Sequence, residues 1–153
     1  MGDEVMGLES RPTNHMEVEG ELCKLFYAKF GNAALPVIEA VFTAWGQFLG
    51  ERLKNQLPSR DFKDVVEAHI KPALQREPKP EIVELSPDRV ELKIFVCPYH
   101  LNGYGKELCE AVMAMDRAII STASDVEVKM SLPKSLAAGD EWCHGIFERG
   151  GTL

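Results

Sequence analysis

The chain switches its hydrophobic period at Pro78-Lys79-Pro80. Before this point apolar residues recur at three- and four-residue steps, the spacing of helix faces. Just after it they recur at every second residue, the spacing of strands. A fold for this sequence must therefore set a helical first half against a sheet built from the second.

Three helices are expected upstream. The first covers about 16–30, with Val18, Leu22, Leu25, Phe26 and Phe30 as its stripe, and Gly31-Asn32 stops it. The second starts near Leu35, takes Pro36 in its first turn and reaches about Gln56. Val37, Val41, Ala44, Trp45, Phe48 and Leu49 form its apolar face, and Gly46 and Gly50 read as small residues at a packed seam. Ser59 is the expected cap of the third helix, which turns Phe62, Val65, Val66, His69 and Ile70 inward and ends at Lys71-Pro72.

Downstream, residues 82–86 and 89–96 read as strands joined by a turn at Pro87-Asp88. A two-glycine loop leads to a helix over 106–122, then a strand over 126–130. Residues 133–140 form a loop and 141–148 a last strand. The spacing predicts an α+β fold: three N-terminal helices followed by β-β-α-β-β, with a four-stranded, mostly antiparallel sheet and helices packed on it. A chain of 153 residues suits one domain. We expect a flexible tail over 1–15, a single domain over 16–148 and a frayed end over 149–153.

Charge narrows the partners. The formal net charge is -7 with no basic stripe, which disfavours nucleic acid. The longest apolar window, 33–49, is interrupted by Pro36, Glu39, Thr43, Gly46 and Gln47, so no membrane span is expected. The acidic start M-G-D-E-V lacks the apolar core of a secretory signal. These readings point to the cytoplasm, where four cysteines are thiols or metal ligands rather than a disulfide framework.

The chemistry-bearing residues gather between Cys97 and His144. Cys97 and His100 have C-x-x-H spacing around a stiffening Pro98, and thiolate and imidazole are the usual zinc ligands. Strand alternation puts Cys97 on the more polar face of its strand. Cys109 lies near a helix start, where the macrodipole lowers a thiol pKa and suits it to be a ligand or nucleophile. Asp116 is two turns further along the same helix face, about 10 Å away, too far to share one ion with Cys109. It could orient a histidine, bind a cation or act as a base. Asp140 has two readings, a turn former or a catalytic carboxylate. Cys143 and His144 face opposite sides of their strand, and Cys143 shares a face with Phe147. Cys23 and His69 read as parts of the scaffold. There is no G-x-S-x-G, P-loop, G-x-G-x-x-G or H-E-x-x-H pattern.

Cys97-Pro98-Tyr99-His100, Leu108-Cys109, Asp116 and the run G-D-E-W-C-H-G-I-F from Gly139 resemble the L-2-amino-thiazoline-4-carboxylic acid hydrolase family over about 95–148. One extra residue separates Cys143 from Phe147 relative to that pattern. The second half is also similar to 4-vinyl-reductase-type ligand-binding domains, some of which hold zinc through cysteines. The first resemblance implies a hydrolase that opens a small cyclic C–N-containing substrate in a pocket of Cys97, His100, Cys109, Asp116, Asp140 and Cys143. Within it, Cys97, Cys109 and Cys143 would be nucleophiles or ligands of zinc or another transition metal. The second implies a non-catalytic small-molecule or metal-binding sensor. In both the partner is a small molecule, and a homodimer is compatible with either.

Overall fold

The computed structural model describes residues 8 and 10–153; residues 1–7 and 9, part of the expected tail, lie outside the described residues. Order begins before the tail was expected to end. Asn14 caps α1 (His15–Phe30) by accepting the Glu17 N–H at 3.0 Å, and the Glu17 carboxylate accepts the Thr13 N–H at 2.6 Å. A 3-10 turn leads to α2 (Ala34–Gln56), followed by α3 (Phe62–Ile70). Asp61, not Ser59, occupies the cap position of α3; Ser59, two residues earlier, accepts the Asp61 N–H on its Oγ at 3.2 Å.

The second half supplies β1 (Glu81–Leu85), β2 (Arg89–Ile94), α4 (Lys106–Ser124), β3 (Val126–Lys134) and β4 (Cys143–Thr152). The strands form one antiparallel sheet in the order β1-β2-β4-β3. Two boundaries differ from expectation. β3 passes through Pro133, because an edge strand has one side that needs no donor, and a bulge between Ser131 and Lys134 absorbs the ring. β4 runs to Thr152 opposite Val126, so the expected fraying from 149 is corrected. Backbone pairing holds this end although its side chains are exposed, and exposed side chains leave no alternation to read.

α4 lies against the sheet and α2 packs on α4 from the far side. The crossing is close: a Cβ on Gly46 would sit 2.4 Å from the Met115 carbonyl oxygen, and one on Gly50 2.7 Å from Thr122 Cβ. The inner face of α2 therefore carries Ile38, Phe42, Gly46 and Gly50. The stripe expected to mark its packing, Val37, Val41, Trp45 and Phe48, is exposed. α1 shows the same inversion. Val18 and Leu22 face outward, while Glu21 and Lys24 are buried as an ion pair of 2.5 Å. The run His15–Gln56 is long and apolar enough to cross a membrane by composition; 28% of its most apolar window is buried in this fold.

Among the described residues the interior has two clusters. One joins α3, the distal half of α4 and Val90, Leu92, Val126, Val128 and Phe147 of the sheet. The other joins α1, α2, the first turns of α4 and the loops around Cys97–Leu101 and Leu136. A cavity lies where they meet.

Candidate functional site

The cavity holds about 540 Å³, within the usual range for small-molecule sites, and apolar side chains dominate its lining. Leu92, Ile94 and Phe147 come from the sheet, Val112 and Met113 from α4, and Ile70 from α3. Cys97, Cys109 and Cys143 all reach it, as do Asp116 and His69.

Cys97 arrives by a route that strand alternation did not predict. β2 ends at Ile94, and the bend at Phe95–Val96 turns the next residue inward, so Cys97 is buried rather than on the polar face. Its sulfur accepts the Leu101 N–H at 3.5 Å, and burial raises its pKa. α1 clamps this loop. A Cβ on Gly20 would fall 2.0 Å from the Tyr99 carbonyl oxygen, and Lys24 Nζ donates to the His100 carbonyl at 3.2 Å. That Lys24 ammonium also sits 4.9 Å over the Tyr104 ring. The buried Glu21–Lys24 pair thus holds one wall of the site.

Cys109 and Cys143 act as a couple. Cys109 is in the first turn of α4, yet its pKa is raised, because its thiol donates to Cys143 and because it is buried. The macrodipole expectation is therefore reversed: a proton held between two sulfurs outweighs the helix end. Cys143 is the favoured thiolate, pulled down to about 7 from the usual 9.0. The Cys109 thiol is the main cause, with the Leu136 N–H at 3.3 Å and the Ser135 hydroxyl adding to it against the cost of burial.

Asp140 supports this arrangement from outside. Its Oδ2 accepts the Ser135 N–H at 2.8 Å, and its own N–H donates to the Ser135 carbonyl at 3.1 Å. This closes the turn that aims the Leu136 N–H at Cys143. Asp140 is exposed and does not line the cavity. Loop 101–105 docks on the same turn: Gly103 N–H donates to the Leu136 carbonyl at 3.1 Å and Gly105 N–H to the Ala137 carbonyl at 2.8 Å. Gly105 has φ 116°, which favours glycine at this entry to α4.

Asp116 lines the cavity and its Oδ1 is 2.7 Å from His69 Nε2. Sequence alone does not single out His69, because a lone histidine on an amphipathic helix carries no further signal. His100 does not join the site. Its backbone is left-handed at φ 54°, and its ring is half exposed, 3.6 Å from Glu17. His144 is on the opposite sheet face, paired with Glu91.

The metal expectation is not met by the donor set. Among the described residues no group of three or more His, Cys, Asp or Glu is disposed to hold a metal ion. Cys97, Cys109 and Cys143 share the cavity, but Cys109 is engaged as a donor to Cys143, and His100 points away.

No family model matches the chain, and no curated protein matches it. Among solved structures it is similar to a trafficking protein particle complex subunit 3 from Naegleria fowleri, covalently bound to palmitic acid. Identity is 14%, the TM-score is 0.66, and the match covers 90% of this chain and 94% of that one. This likeness establishes a shared fold.

Proposed function

We propose that the chain binds a predominantly apolar small molecule in the cavity between its two cores. The observation that carries this reading is the cavity: about 540 Å³, lined mainly by apolar side chains with a few polar and charged ones among them, Asp116, His69, Arg76 and Glu77. The trafficking-complex subunit that shares the fold holds a long acyl chain, which supports an apolar occupant here. The proposed setting is the cytoplasm, where four free cysteines stay reduced. Native mass spectrometry and displacement of a fluorescent apolar probe would test this. Short- and medium-chain acyl ligands should displace the probe, and filling the cavity with Val112→Trp should abolish displacement. A probe that binds equally well to that variant would exclude the cavity.

A second reading is thiol-dependent hydrolysis of a small cyclic C–N-containing substrate. The Cys143 thiolate favours it, and His69–Asp116 on the same cavity wall supplies an acid–base couple. Turnover of a thiazoline carboxylate panel, lost in Cys143→Ser, would select this reading; tight binding with no product would select the first.

For the assembly we propose a homodimer through the outward stripe of α1 and α2. Val18, Leu22, Val37, Val41, Trp45 and Phe48 are each 44–65% exposed. Together they offer on the order of 600 Å² of apolar surface, close to the ~800 Å² per partner of a standard interface. Sedimentation should show a dimer that Trp45→Glu dissociates; a wild-type monomer at high concentration would dismiss the idea.

A further inference from the structure

We propose that Cys143 and Cys109 are a peroxide-reactive thiol pair: a hydroperoxide entering the cavity oxidises Cys143, and Cys109 closes the disulfide. The proposal deepens the reading of the cavity as a small-molecule site and rests on it.

The geometry supplies both halves of the reaction. Cys143 opens β4 and Cys109 sits in the first turn of α4, and their side chains meet on the cavity wall. The Leu136 N–H at 3.3 Å, the Ser135 hydroxyl and the Cys109 thiol all converge on the Cys143 sulfur, so negative charge is held there. The resolving thiol is therefore already in contact with the sulfur it must attack. Cys23 lies in α1 away from the cavity, and burial raises its pKa to about 11, which leaves it inert.

The step balances. The Cys143 thiolate attacks the terminal oxygen of R–O–O–H; the O–O bond breaks and, with one proton taken up, the alcohol R–OH leaves. Cys143 becomes a sulfenic acid. The Cys109 sulfur then attacks Cys143, the S–O bond breaks, and the hydroxyl leaves as water with the Cys109 proton. Two thiols are oxidised by two electrons in total and one peroxide is reduced. The disulfide removes the nucleophile from the cavity, so oxidation switches off any chemistry that Cys143 performs.

The apolar walls select an organic hydroperoxide over hydrogen peroxide. Reduced protein should be treated with one equivalent of cumene hydroperoxide or hydrogen peroxide, then quenched in denaturant with an alkylating agent. Of the four free thiols, two should be lost, and peptide mapping should join Cys109 to Cys143. Cumene hydroperoxide should react on the order of tenfold faster, the return on seating an aromatic ring in an apolar wall. Cys109→Ser should stop at a sulfenic acid on Cys143 that dimedone traps, and Cys23→Ser should behave as wild type. Retention of all four thiols, a link through Cys97, or equal rates for the two oxidants would overturn the proposal. The wild-type mapping stands even if a variant folds poorly. Probe displacement from reduced protein separates the two ideas: lost displacement with an intact Cys109–Cys143 link rejects the ligand reading, and the converse rejects the thiol pair.

Discussion

At the scale of single residues, the site is set by who donates to whom. Cys143 receives three donors and is the thiolate; Cys109, placed where a helix end should acidify it, gives up that role by donating. A pH series of iodoacetamide labelling should therefore show one cysteine whose reactivity rises through a midpoint near 7, above which the thiolate dominates, and Cys143→Ser should remove that step. Asp140 gives a sharper test because its two effects oppose. Its charge raises the Cys143 pKa, while its turn aims a donor that lowers it. Asp140→Asn keeps an acceptor and loses the charge, so the midpoint should fall; Asp140→Ala opens the turn and it should rise. A shift in the same direction for both would show that Asp140 acts through charge alone.

At the scale of elements, the two glycines of α2 determine how near α4 can come. Gly46→Ala must push its Cβ into the Met115 carbonyl at 2.4 Å, and both partners are helix backbone that cannot yield cheaply. Denaturant titration should show a loss of about 2 kcal/mol, the usual cost of overpacking. Because Met115 and Asp116 follow each other on α4, the same variant should weaken probe binding in the cavity. The sequence made the order and type of these elements legible, since period and turn chemistry are local. Cys109, Asp116 and Cys143 reach the cavity on the helix and strand faces that their periods indicate. What escaped was decided by contacts between distant segments. The bend after Ile94 redirects Cys97, and the pairing of β3 with β4 outlasts its side-chain pattern. His69 becomes relevant only once α3 is placed beside α4. The outward stripes of α1 and α2 could not be told from inward ones, because periodicity reports that a face is apolar and not what covers it.

At the scale of the whole molecule, two depressed carboxylates tie remote parts of the chain and a third closes the local cap of α1. Glu17 is held below its usual range by the Thr13 N–H, Glu91 by its hydrogen bond to His144, and Asp125 by its hydrogen bond to Lys54. Each is depressed in the folded state, so each contributes stability above its ordinary pKa and loses it as pH falls through the folded value. Melting temperature should be level near neutrality and drop below about pH 4.5, and Glu91→Gln should flatten that drop. An unchanged acid limb in Glu91→Gln would rule out its share. The strand order also has a consequence for synthesis. β4 is made last among the strands but lies in the middle of the sheet, between β2 and β3. Without β4, β2 and β3 each present an unpaired edge, and Cys109 lacks the Cys143 sulfur it donates to. A chain truncated after residue 142 should therefore be aggregation-prone, bound by chaperones and readily labelled at Cys109.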